Sequence, residues 1–115
     1  MAIRTFAAID VGSFELEMGI YEMSYKTGIR RVDHIRHVIA LGKDTYSGGK
    51  ISYGLVEEMC QVLGEFAQIM KAYRVKDYRA YATSAMREAR NNQIILDQIR
   101  VRTGITVRII SNSEQ

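Results

Sequence analysis

The chain has 115 residues, 47% of them hydrophobic and 25% charged, with 16 Lys and Arg against 13 Asp and Glu for a formal net charge of +3. That describes one soluble globular domain able to bury its own core, and it excludes a disordered chain. The mild positive excess permits an anionic ligand without demanding nucleic acid.

In chain order, residues 4–11, RTFAAIDV, are a short apolar run stopped by Gly12 and read as a buried strand. Residues 14–24 alternate, with Phe14, Leu16, Met18 and Ile20 on one face and Glu15 and Glu17 on the other, which is the period of a half-exposed strand. Gly12 and Ser13 leave room only for a tight turn, so the two strands form a hairpin. Residues 25–28 turn the chain into a third strand over 29–41. Residues 42–51, GKDTYSGGKI, hold three of the nine glycines and read as the clearest loop. Ser52 is an N-cap for an amphipathic helix over 53–73, marked by Leu55, Met59, Val62, Leu63, Phe66 and Met70. A strand over 77–83 follows, then helix over 84–103 with a break at Asn91–Asn92, Gly104 as its stop, and a last strand over 105–111.

The sum is an α/β domain over residues 1–115, in the order β-β-β-α-β-α-β, predicting a mixed five-stranded sheet with flanking helices. At fold level this order resembles a ribonuclease-H-like, actin-like ATPase half-domain. No apolar run approaches the ~18 residues that cross a bilayer, and no signal peptide is recognisable, so a cytoplasmic location away from membranes is expected. The single Cys60 excludes an internal disulfide and a cysteine zinc site. His34 and His37 are three apart in a strand, point to opposite faces, and cannot chelate one metal. The methionines sit at core spacing and are packing.

Four constellations bear on chemistry. Asp10 stands near the end of an apolar strand, where a carboxylate must be bonded, paired or facing a cleft, and Gly12 and Ser13 follow at once. Such a turn brings backbone N–H groups and a hydroxyl to an anion, while the Asp holds Mg²⁺ through water; the plain alternative is an Asx-type hairpin turn. At Thr83–Ser84 a strand runs into a helix start that suits phosphate, with Arg87 one turn in to close on the same anion. There the alternative is an ordinary Ser/Thr cap with Arg87 on a solvated face. The 42–51 segment is not spaced as a Walker A loop and reads either as a mobile flap or simply as a loop. Glu114 lies just past the last strand, where α/β sheets place ligand chemistry, as a general base or as a solvated terminal residue.

AIDVGS, LGK…GGKIS, YRAYATSAMREARN and TGITVRIIS together resemble the exopolyphosphatase/guanosine pentaphosphate phosphatase family, across nearly the whole chain. Ala82 to Asn91 fits the family's A-T-S-A-x-R-E-A-x-N position by position, a run that argues against a generic actin-like ATPase or sugar-kinase lobe. The resemblance implies a Mg²⁺-dependent phosphohydrolase acting on polyphosphate or a phosphorylated guanine nucleotide. In it Asp10 helps hold the metal, Gly12, Ser13, Thr83, Ser84 and Arg87 bind phosphate, and Glu114 is catalytic. Three departures stand out: Phe14 and Glu15 replace the family's Asn-Ser, Asn112 replaces a glycine, and either Glu114 or Gln115 falls at the catalytic position depending on register. These departures motivate the alternative of a non-catalytic sensor of polyanions or nucleotides. The family's second lobe, with its D-x-G-G-G-S loop, finds no match, so the resemblance implies the N-terminal lobe of a larger two-lobed phosphatase. That lobe is expected to be inactive alone and to self-associate through its exposed lobe surface.

Overall fold

Alternation of apolar residues with small or polar ones along the strands gives the sheet its two unlike faces. In the computed structural model, which describes residues 3–111, strand β1 is Arg4–Val11, β2 is Glu15–Ser24 and β3 is Gly28–Val38. Helix α1 is Leu41–Gly48, α2 Tyr53–Ala72, β4 Asp77–Ala82, α3 Ser84–Glu88, α4 Asn92–Thr103 and β5 Arg108–Ile109. The five strands form one mixed sheet, as the pattern predicts, and its strand order is β3-β2-β1-β4-β5. The hairpin joins β1 antiparallel to β2, β3 adds antiparallel to β2, and the helix-linked β4 and β5 run parallel to β1 and to each other.

On one face Ala7, Ile9, Val11, Leu16, Met18, Ile20, Ala80 and Ala82 are buried in a single cluster with Met59, Leu63 and Phe66 of α2, Met86 of α3 and Ile95 and Ile99 of α4. Each large side chain so buried contributes roughly 1.5–3 kcal/mol relative to exposure. Ser52 caps α2 as expected, its hydroxyl accepting from the Leu55 amide. Arg102 of α4 donates a two-pronged ion pair to Glu57 of α2, at 2.6 and 3.0 Å. The opposite face carries Ala8, Asp10, Glu17, Gly19, Tyr21, His34 and Tyr81 around an open depression of about 510 Å³. Even Ala8, in mid-strand, is exposed there.

Four predicted elements differ. The presumed loop over 42–51 contains α1, and its glycines are packing and termination devices. A Cβ on Gly42 would lie 3.0 Å from Ser13 Cβ and 3.1 Å from the Tyr46 ring, so the helix comes closer to the hairpin turn than a side chain allows. Gly49 ends the helix in the left-handed region at φ 75°. The predicted 29–41 strand stops at Val38, because Ile39 turns its amide to the Phe14 carbonyl and the chain enters α1. The 84–103 helix is interrupted as predicted, but over 89–91, with Ala89 extended. The Asn91 side chain bridges to the Ile51 backbone instead of capping. The last strand shrinks to Arg108–Ile109, since β5 meets only the final two residues of β4.

Candidate phosphate site

Because β1 and β4 are adjacent and parallel, with Val11 opposite Ala82, the turn after β1 and the helix start after β4 emerge side by side. The Thr83 amide donates to the Val11 carbonyl at 3.3 Å, stitching the two exits together. Gly12 donates to Glu15 O at 3.0 Å, Gly42 to Ser13 O at 2.8 Å and Ile39 to Phe14 O at 3.0 Å. The turn's carbonyls are thereby engaged from behind, while the Ser13 and Phe14 amides donate to no group among the described residues. Gly12 is not in the left-handed region; it is needed because a Cβ would come within 3.2 Å of Glu15 O.

Three hydroxyls converge in front of this turn. Ser13 Oγ lies 3.3 Å from Ser84 Oγ and 3.4 Å from Tyr46 Oη, and Tyr46 Oη lies 2.5 Å from Ser84 Oγ. Neither Thr83 nor Ser84 caps α3: Thr83 is the N-cap residue and makes no side-chain cap bond. The first amide of α3 with an acceptor in its own turn is Arg87, which donates to Thr83 O at 2.9 Å. The amides before it are left by helix geometry without one.

Asp10, Gly12, Ser13, Thr83 and Ser84 are thus brought to one end of the sheet, Asp10 and Thr83 lining the open depression. Burial first, and the nearby Glu15 carboxylate second, raise the Asp10 pKa above the usual carboxylate value. Glu15 does not crowd the turn: its carboxylate is drawn 2.8 Å from Arg36 on β3, and Phe14 projects outward, 64% exposed. Arg87 is half-buried rather than on a solvated face. Its guanidinium donates to the Ile110 carbonyl at 2.7 Å, fastening α3 to the chain leaving β5. Glu114 and Gln115 lie outside the described residues. His34 and His37 point to opposite faces, one 3.5 Å from Glu17 and the other 2.7 Å from Glu58 of α2. Tyr46 was hidden from the sequence by the glycines around it; the signal that could have revealed it is the Leu41/Thr45 pair at helical spacing, both buried.

No group of three or more His, Cys, Asp or Glu side chains among the described residues could hold a metal ion. A lone carboxylate such as Asp10 suits Mg²⁺ kept largely in a shell of water and phosphate oxygens.

A site of this form, at the exits of adjacent parallel strands, agrees with what the chain resembles. The model of the Ppx/GppA phosphatase family matches residues 20–115, and the chain belongs to that family. Exopolyphosphatase 1 of Mycobacterium leprae is 27% identical over 108 residues, covering 93% of this chain and 32% of that protein. The crystal structure of the Aquifex aeolicus Ppx/GppA family member superposes with a TM-score of 0.94 at 25% identity, covering 98% of this chain and 37% of that one. An exopolyphosphatase from Cytophaga hutchinsonii, at 23% identity and TM-score 0.90, covers 96% of this chain and 35% of that one and shows the shared fold. The architecture is the actin-like ATPase fold of these proteins. The chain spans about a third of the length of the relatives it matches. No helix among the described residues is long and apolar enough to cross a membrane.

Proposed function

We propose that this chain is the phosphate-holding N-terminal lobe of a phosphohydrolase that releases terminal phosphate from inorganic polyphosphate or guanosine pentaphosphate. The observation that carries the reading is the meeting of Ser13 and Ser84, 3.3 Å apart, at the ends of two parallel strands, with the amides of the turn uncommitted and the helix start uncapped. Donors held in place by a sheet need no reorganisation when charge spreads over phosphoryl oxygens, which is how phosphoryl transfer is accelerated. Asp10 would hold Mg²⁺, which when bound neutralises charge on the phosphate oxygens. Glu114 is assigned the water-activating role, and Arg87 a phosphate contact reached from its anchorage on Ile110.

A cleft needs two walls, so hydrolysis belongs to a protein with a second lobe. The test is phosphate release from polyphosphate and from guanosine pentaphosphate, measured on this chain and on a protein carrying it together with the further length its relatives have. Strong release by the longer protein and none by the chain alone supports the two-lobe reading. Equal activity of both overturns it. Phosphate or nucleotide binding with no release by the longer protein favours the sensor, for which Phe14 and Glu15 in the turn are the specific motive.

A further inference from the structure

Tyr46 lies outside every motif that points to phosphate, yet the fold delivers its hydroxyl to the centre of the site. We propose that Tyr46 is a further phosphate-contacting residue, which presents its phenol to the same phosphoryl group as Ser13 and Ser84; this rests on the phosphate reading above. Its ring lies against Gly42, where a Cβ would stand 3.1 Å from it and 3.0 Å from Ser13 Cβ. The helix carrying it is itself tied down, by the Gly42 amide on Ser13 O at 2.8 Å and by Thr45 Oγ1 on Ala85 O at 2.9 Å. Tyr46 therefore bridges both halves of the site, 2.5 Å from Ser84 and 3.4 Å from Ser13, while its residue stays 55% exposed.

Each hydroxyl has one proton to donate and lone pairs to accept. Without a ligand the three satisfy one another. A phosphoryl group offers acceptor oxygens only, so on binding all three protons turn outward to it, and hydrogen bonds to a charged acceptor are stronger than those between neutral groups. Tyr46 presents a phenolic O–H. Its contribution is a directional donor and not a charge, and is accordingly little screened by salt. Lysines elsewhere on the chain cannot substitute for it, because their attraction is a point charge on a flexible stem.

The experiment is calorimetric titration of the full chain with tripolyphosphate, at low and high salt, for the wild type, Tyr46→Phe and, as a control at the far end of the sheet, Tyr25→Phe. Phenylalanine keeps the ring that packs on Gly42 and removes only the hydroxyl. The expected result is binding by the wild type and by Tyr25→Phe, and a roughly tenfold or greater loss of affinity in Tyr46→Phe that persists at high salt. Ring-carbon NMR of tyrosine in the unaltered chain reads the same contact without a variant: the Tyr46 signal shifts on titration and the Tyr25 signal does not. Equal affinity of Tyr46→Phe, or an unmoved Tyr46 signal while the wild type binds, overturns the assignment and leaves the phosphate reading standing. No binding by the wild type overturns both.

Discussion

Thr45→Val is the most searching perturbation of the site's scaffold, because it removes one hydroxyl and almost no volume. Thr45 is the one buried polar residue among those described, 4% exposed. Its Oγ1 donates to the Ala85 carbonyl at 2.9 Å. That carbonyl belongs to a helix of only five residues, and the amide that would meet it, Ala89, donates to Met86 O instead. Valine keeps the shape and leaves a buried carbonyl without a donor, a loss of about 1–3 kcal/mol. For a domain of this size that is a fall in melting temperature of roughly 5–15 °C. Thr45→Ser, which keeps the hydroxyl and loses a methyl, should cost about 0.8 kcal/mol. Because the bond joins the helix carrying Tyr46 to the helix carrying Ser84, phosphate affinity should fall in Thr45→Val more than in Thr45→Ser. Thermal unfolding and tripolyphosphate titration of both variants check this. A Thr45→Val chain that melts with the wild type refutes the reasoning, since it would mean that the Ala85 carbonyl has no need of Thr45.

Arg87→Lys should lower the melting temperature by several degrees, because a lysine does not reproduce the planar guanidinium whose Nη1 donates to Ile110 O, a contact of about 1–2 kcal/mol; in an active two-lobed protein it should also cut kcat/KM by roughly two orders of magnitude, for a lost contact of ~2–4 kcal/mol. Unchanged melting and kinetics would dismiss both roles. Asp10→Asn should stabilise the chain at neutral pH. The folded state holds the Asp10 proton more tightly than the unfolded chain, so its favourable contribution is complete below the ordinary carboxylate pKa and is lost as pH rises through the raised value. The gain from Asn must then fade as pH is lowered, and denaturant melts across the acid range that show a constant gain would contradict the burial argument. Finally, the uncovered sheet face around Ala8, Gly19 and Tyr81 should drive self-association in concentrated solution; light scattering that finds strict monomers counts against it.

Much of this protein is written in its periodicities. The apolar run of 4–11 and the period-two alternation of 14–24, separated only by Gly12 and Ser13, dictate a hairpin, because both strands must reach the core and only a tight turn fits between them. The spacing of Met59, Leu63, Phe66 and Met70, after Ser52, dictates the long helix in the same way. The family motifs likewise single out Asp10, Ser13, Thr83 and Ser84, which the fold gathers at one end of the sheet. Tertiary structure alone decided the rest. Glycines at 42, 48 and 49 read as loop, since local propensity cannot distinguish a glycine that frees the backbone from one that lets a helix touch its neighbour. Nothing along the chain ties Arg87 to Ile110, 23 residues away, until the sheet brings the two together. The hydroxyl triad joins residues 33 and 71 positions apart, and no pattern along the chain encodes such a distance; it exists because β1 and β4 are parallel neighbours whose ends, with α1 folded between them, arrive at one point.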